Sequence, residues 1–325
     1  MPMRIAKQIH NLILEKDNFL LVAHQNPDGD TLGSVTAMSQ MLKNLGKKHT
    51  IFCLDEVPTQ YRFLPNSHLV THDPQIWEKE YGLIITCDAS DMAYAGVDKF
   101  LEGKTDIPPV INFDHHASNK LFGIHNMVIT TASSTTEVLY QYIMHNTIIM
   151  DPNIATSLLN GLITDTGNFS NSGTSKYALG IGSNLIKKGA RINQIRTHVL
   201  MDKKIPTFKL WGIVLSRLSK HEKFDITYTY ITKQDLLDCN VDDESASGIS
   251  NLMNDLKEGK ATFVLRERDN GTYKISSRTT RDDFDLSKIA LAFGGGGHKK
   301  AAGFSVPGPI EVALDTIWEG LEGLV

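Results

Sequence analysis

The chain has 325 residues, enough for two domains that each bury a core, and with 41% hydrophobic and 22% charged residues it is globular, not disordered. Lys+Arg 33 against Asp+Glu 37 gives a net charge of -4, which argues against a broad basic surface for long duplex nucleic acid and leaves a local basic groove as the alternative. Its cysteines, Cys53, Cys87 and Cys239, are odd in number and far apart, so neither a disulfide framework nor a zinc ribbon is expected.

A reducing cytoplasm fits that cysteine usage, and Cys53 and Cys87 read as small core residues. The N-terminus lacks the pattern of a signal peptide, and no apolar run approaches the roughly 18 residues a membrane helix needs. The expectation is a soluble cytoplasmic protein without a membrane partner.

In chain order, Ile5, Ile9, Leu12 and Ile13 recur at helical spacing and predict an amphipathic first helix. Residues 19–23 read as a buried strand, 31–45 as a helix stopped by Gly46, and 49–54 as a second strand. Strand, loop, helix, strand is a parallel-sheet unit. Residues 55–81 read as loop with short helices, then 82–87 and 110–113 as strands, with a short extended run at 127–129. Ser134 and Glu137 fit a capping box that opens a helix to about His145, and Asp151-Pro152 starts another that ends in Thr164-Asp165-Thr166-Gly167. A helix over 175–188 follows.

The pattern over 191–218 is helical but more polar and is interrupted by Pro206, so it reads as a connector. Beyond it come a strand (225–231), a helix (247–256), two strands (261–267 and 272–277) joined by the hairpin turn Asp269-Asn270-Gly271, a helix (286–293), a glycine-rich run (294–303), a strand (304–306) and a last helix (310–324). The expected fold is therefore α/β: a mainly parallel sheet flanked by helices over residues 1–190, a helical linker over 191–219, and a smaller α/β domain with a mixed sheet over 220–325, with a cleft between the two.

The chemistry concentrates where apolar strands end. His24, Asp28 and Asp30 follow the first strand, Asp88 the third, and Asp114, His115 and His116 the fourth, while Asp165 ends a helix. Open α/β sheets place their sites at the carboxyl edges of strands. The glycine between Asp28 and Asp30 lets a tight loop aim both carboxylates at one small region. An alternative for Asp28 alone is a plain helix cap, and for Asp88 a turn residue; recurrence of the pattern at separate strand ends is what favours a common site. Carboxylates mixed with imidazoles, without thiolates, suit manganese, magnesium or related divalent ions better than structural zinc. The set exceeds what one ion needs, and two ions about 3.5–4 Å apart are the usual arrangement for phosphoester hydrolysis.

His24-x-x-Pro27-Asp28-Gly29-Asp30, the lone Asp88, Asp114-His115-His116 and Asp165-Thr166-Gly167 resemble the four ordered motifs of the DHH phosphoesterase family. The run Gly294-Gly295-Gly296-Gly297-His298-Lys299-Lys300-Ala301-Ala302-Gly303 resembles the signature of the smaller DHH-associated domain, so the resemblance spans nearly the whole chain. A chain of this length with these two parts is similar to the bacterial nanoRNase and pAp phosphatase group, which includes linear-dinucleotide phosphodiesterases. The resemblance implies two divalent cations, manganese first, with magnesium or cobalt as alternatives. It puts His24, Asp28 and Asp88 on one ion, and Asp30, Asp88, His115 and Asp165 on the other. It also implies that His116 faces the substrate phosphate and that Asp114 supports the imidazoles. Catalysis would then rest on His116, Asp88 and Asp114.

For the substrate's phosphate or nucleotide end the candidates are Arg278, whose fork suits a bidentate phosphate contact, together with Gly295, Gly296, Gly297 and His298 in the glycine-rich run. Expected substrates are short RNA or DNA oligonucleotides, linear dinucleotides such as pApA, and 3′-phosphoadenosine 5′-phosphate, cut by a water that two metals activate. A homodimer is allowed. The alternatives are a family II-like inorganic pyrophosphatase and a non-catalytic nucleotide sensor on the same fold; a longer single-strand exonuclease would call for a further nucleic-acid-binding domain.

Overall fold

A computed structural model describes residues 2–171, 173–201, 204–242, 248–253, 256, 258–322 and 324. They fall into two compact units, Met1–Asp202 and Lys203–Val325. The boundary lies inside the stretch expected as a connector.

In the first unit the elements run α1 (Pro2–Glu15), β1 (Phe19–Val22), α2 (Gly29–Asn44), β2 (His49–Phe52), β3 (Val70–Thr71), β4 (Leu83–Cys87), β5 (Val110–Asp114), β6 (His125–Val128), α3 (Thr135–His145), α4 (Pro152–Asp165), α5 (Ala178–Lys187) and α6 (Ile192–Ile195). The sheet order is β3-β2-β1-β4-β5-β6, and every pairing is parallel. Parallel strands covered on both faces read as continuous apolar runs, and here alternate residues split between two cores. Phe19, Leu21, Ile51, Leu83, Ile85, Ile111 and Phe113 pack with the helices. Leu20, Val22, Phe52 and Ile84 point the other way, onto Ile76, Trp77, Ala95 and Val97. That second face is covered by loops and by short 3-10 turns at Asp98–Phe100 and at Pro74–Glu78, the latter within the region read as irregular. The two-residue β3 was not expected there.

The order reverses between β1 and β4, so the loops leaving these neighbouring strands diverge and open a crevice at their carboxyl ends. Helix α2 is buried along Gly29–Leu42 against α4. A Cβ on Gly33 would lie 2.6 Å from the Ser157 carbonyl, and one on Gly161 2.5 Å from Asp30 Oδ1, so these glycines permit the close crossing that seats Asp30.

The second unit holds α7 (Ile205–Ser216), β7 (Ser219–His221), β8 (Ile226–Ile231), α8 (Lys233–Cys239), α9 (Ile249–Leu252), β9 (Ala261–Glu267), β10 (Thr272–Arg278), α10 (Leu286–Ala292), β11 (Gly296–His298), β12 (Ala301–Pro307) and α11 (Ile310–Leu321). Its sheet, β11-β12-β10-β9-β8-β7, is mixed, with β8 and β9 parallel and the other pairs antiparallel. Phe263 and Leu265 face Leu286, Ile289, Ala313 and Ile317, while Val264 faces Leu210, Val214 and Ile249.

Some details differ from the sequence reading. Pro206 does not interrupt a helix: it occupies the first turn of α7, where its missing N–H costs nothing. The helix expected over 247–256 is four residues, Ile249–Leu252, with residues 247, 254 and 255 outside the described residues. The glycine-rich run is a β-hairpin, β11 and β12 turning at Lys299-Lys300. The Asp269-Asn270-Gly271 hairpin has Gly271 at φ 75°, as its turn demands.

Candidate metal centre

Each side chain of the centre is delivered by a specific end of an element. β1 leads to His24 and Asp28, and Asp28 caps α2, its Oδ1 accepting from the N–H groups of Asp30 and Thr31, both at 3.0 Å. The cap and the cluster thus use the same carboxylate. β4 delivers Asp88, which sits at φ 62°, an uncommon conformation for a residue with a side chain and one that clusters at functional sites. β5 delivers Asp114, His115 and His116, and α4 ends on Asp165.

Ligand-type atoms converge in three overlapping groups, each within 4.8 Å: His24, Asp28 and Asp88; Asp30, His115 and Asp165; and Asp88, His115 and His116. His24 Nε2 lies 3.7 Å from Asp28 Oδ1 and 3.6 Å from Asp88 Oδ2. His115 Nε2 lies 3.2 Å from Asp165 Oδ2 and 3.8 Å from Asp88 Oδ1. On both rings the other nitrogen is held by a backbone carbonyl, Nδ1 of His24 at 2.6 Å from Gln25 O and Nδ1 of His115 at 3.3 Å from Ala132 O. That bond keeps the proton on Nδ1 and turns Nε2 to the carboxylates, the side from which the neutral ring would offer its lone pair to a metal.

Asp114 lies outside all three groups. Its Oδ1 accepts from His115 N at 2.8 Å, His116 N at 3.2 Å and His116 Nδ1 at 2.7 Å, and its Oδ2 accepts from Asn119 Nδ2 at 2.6 Å. With its oxygens engaged, it orients the His116 imidazole and holds the His115 backbone. Asp30 is fully buried, and its carboxylate closes the N-terminus of α3: Oδ2 accepts from Thr135 N at 2.6 Å, and Oδ1 from Thr136 N at 3.0 Å and Thr136 Oγ1 at 2.8 Å. A carboxylate is favoured at these free N–H groups. Thr135 Oγ1 donates to Asp88 Oδ1 at 2.8 Å. Ser134 caps α3, while Glu137 reaches one residue beyond the expected box, to Ser133 N at 3.0 Å.

The electrostatics call for a cation. Burial, then repulsion from Asp88 and Asp165, pushes the Asp30 carboxyl well above the usual range. Burial likewise lifts Asp165 to about 6, against the hydrogen bond from His115. Burial opposes charge on His24 and His115, yet the carboxylates around each ring raise both to about 10. In the metal-free protein, imidazolium protons therefore occupy a negative pocket that divalent ions fit. The hydrogen bond to Asp114 raises His116, with burial opposing.

Sequence reasoning missed Thr135, Thr136 and Asn119. The free N–H groups at the predicted start of α3 were a signal for the two threonines; nothing in spacing marked Asn119.

In the second unit, Arg278 on β10 pairs with Ala301 on β12, and Ala301 pairs with His298 on β11, so Arg278 and His298 share one row and one face of the sheet. Arg278 Nη1 donates to Ser277 O at 3.0 Å, burial lowers the guanidinium's pKa, and among the described residues it has no acidic partner. A Cβ on Gly295 would lie 2.2 Å from Gly303 O, and one on Gly297 2.5 Å from Ala302 Cα, whereas Gly296 has open space. Gly295 and Gly297 are thus required by the hairpin itself.

Residues 18–162 match the DHH family, N-terminal domain, and residues 224–323 match the DHHA1 domain. The chain is similar to the Bifunctional oligoribonuclease and PAP phosphatase NrnA of Thermus thermophilus, 28% identical over 92% of this chain and 86% of that protein. It is also similar to the protein of the same name from Bacillus subtilis, 22% identical over 89% and 90% of the two chains. Among solved structures, an exopolyphosphatase-related protein from Bacteroides fragilis superposes with a TM-score of 0.89 at 22% identity, covering 98% of this chain and 96% of that one.

Proposed function

From the premise that the chain belongs to the DHH family, with a DHHA1 domain behind its N-terminal one, we propose that it hydrolyses short oligoribonucleotides and 3′-phosphoadenosine 5′-phosphate at the carboxylate–imidazole centre of the first unit. It is a hydrolase of phosphoester bonds, and relatives named for both activities align over about nine-tenths of the chain. The observation that carries the reading is the convergence of three ligand groups in which Asp88 and His115 each serve twice.

His24, Asp28 and Asp88 would hold one divalent ion, and Asp30, Asp88, His115 and Asp165 the other, with manganese first among the candidates. When bound, such a pair supplies positive charge to the phosphoryl oxygens and makes an attacking water more acidic. The chain's own residues do the rest. Asp114 holds His116 in one orientation and favours its protonated form, so His116 is placed to donate to a phosphoryl or leaving oxygen. Asn119 fixes Asp114, and Thr135 fixes Asp88. We assign recognition of an anionic nucleotide group to Arg278 and His298, since a half-buried guanidinium with no acidic partner among the described residues is suited to a phosphate. No helix among the described residues is long and apolar enough to cross a membrane, and a cytoplasmic setting fits these substrates.

Asp88→Asn keeps the volume and the Thr135 contact while removing the shared charge. It is expected to lose Mn²⁺ binding and turnover of pApA together, with the circular dichroism spectrum unchanged. Turnover retained at the wild-type level would remove Asp88 from the mechanism.

A further inference from the structure

Tyr94 lies on the turn after Asp88, and none of the motifs includes it. Its ring packs against two imidazoles, with centroids 5.3 Å from His24 and 6.2 Å from His116, tilted by 56° and 55°. These two histidines belong to different ligand groups, so the ring spans the cluster from one to the other. It is nevertheless 47% exposed, which sets it apart from core aromatics.

The backbone beneath it is firmly held. Tyr94 N donates to Asp91 Oδ1 at 2.6 Å, Asp91 pairs with Lys120 Nζ at 2.7 Å, and Lys120 N donates to Ser90 O at 2.9 Å. The next residues, Ala95 and Val97, are fully buried in the sheet's second core. Among the described residues no group hydrogen-bonds to the Tyr94 hydroxyl. An exposed aromatic with an idle hydroxyl, fixed on a rigid turn beside the candidate reaction centre, is placed for recognition and not for packing.

We infer that Tyr94 is a substrate contact: its hydroxyl donates a hydrogen bond to a non-bridging oxygen of the phosphate ester bound at the cluster, and its ring, resting on His24 and His116, fixes where that hydroxyl points. A phenol is a neutral donor, so it engages an anionic oxygen without adding a cation that would compete with divalent ions for the carboxylates. The inference rests on the phosphoesterase reading above and adds to it a residue that recognises the phosphoryl group.

The test uses the full chain with Mn²⁺, wild type beside Tyr94→Phe and Tyr94→Leu. Steady-state kinetics are read on pApA and on 3′-phosphoadenosine 5′-phosphate, with calorimetric Mn²⁺ titration and a thermal melt of each variant. A hydrogen bond to a charged group that is equally strong in ground and transition states predicts a KM raised about ten- to a hundredfold in Tyr94→Phe, with kcat within about threefold of wild type. Mn²⁺ affinity and Tm stay at wild-type values, and Tyr94→Leu is no better than Tyr94→Phe. A wild-type KM in Tyr94→Phe overturns the inference, because the hydroxyl then touches nothing that matters. Weakened Mn²⁺ binding in Tyr94→Phe also overturns it, by showing that the residue acts through His24. If wild type itself turns over neither substrate, the phosphoesterase reading fails, and the inference with it, a result visible before any variant is compared.

Discussion

Raising the pH should tighten metal binding, and the structure sets how steeply. His24 and His115 are both lifted to about 10 by the carboxylates that surround them, against the opposing effect of burial. At neutral pH each ring therefore carries a proton that an ion must displace, because a metal binds neutral imidazole. The sign follows: groups protonated in the free protein and deprotonated in the complex make affinity rise with pH until the free-state pKa is passed. With one histidine on each ion, occupancy of both sites releases at least about two protons, so the overall constant rises at least about a hundredfold per pH unit between roughly pH 6 and 10. Asp165, lifted to about 6, steepens the dependence below that window. Buried Asp30, raised well above the usual range, adds to the proton count. Calorimetric Mn²⁺ titrations in two buffers of different ionisation enthalpy count the protons directly, and His24→Gln should lower the count by about one. Heats independent of buffer, or an affinity flat from pH 6 to 9, would refute the assignment of both imidazoles.

The Asp114-His115-His116 triplet should show three distinct defects. His115→Ala loses metal affinity outright, Asp114→Asn weakens it about ten- to a hundredfold, and His116→Ala keeps the metal while kcat falls about 10²- to 10⁴-fold; equal metal loss in all three, read by calorimetry, would contradict that division. Arg278→Lys, which loses the fork but keeps the charge, should raise KM for a phosphate-bearing substrate about tenfold with kcat little changed. Gly295→Ala should destabilise the second unit by about 1–3 kcal/mol, since its Cβ would meet the Gly303 carbonyl at 2.2 Å, and urea unfolding followed by tryptophan fluorescence measures it.

Much of the candidate site was legible because its candidate residues follow continuous apolar runs: Phe19–Val22 precedes His24, Leu83–Cys87 precedes Asp88, and β5 ends on Asp114, just before His115 and His116. Burial on both faces writes a strand plainly into the sequence, and a tight Asp-Gly-Asp turn advertises itself by composition. Strand order was not legible, because nothing local tells β1 to lie between β2 and β4. Long-range polar contacts were equally hidden. Asp30 meets Thr135 and Thr136 across more than a hundred residues of chain, and no spacing rule connects them. The glycine-rich run misled in another way: its glycines suggest a loop, yet strand pairing with Ala301, Ala302 and Gly303 needs no side chains, and close packing forbids them at Gly295 and Gly297. Tyr94 escaped notice because an aromatic on a polar turn carries no periodicity.

The central claim is that this chain cuts short phosphate esters of nucleotides through the cluster around Asp88. Incubating the full chain with pApA, 3′-phosphoadenosine 5′-phosphate and inorganic pyrophosphate, each with Mn²⁺ and with EDTA, tests it in one measurement of resolved products. The account predicts AMP from the two nucleotides with Mn²⁺, none with EDTA, and pyrophosphate left intact. Hydrolysis of pyrophosphate alone, or nucleotide turnover undiminished by EDTA, would contradict it.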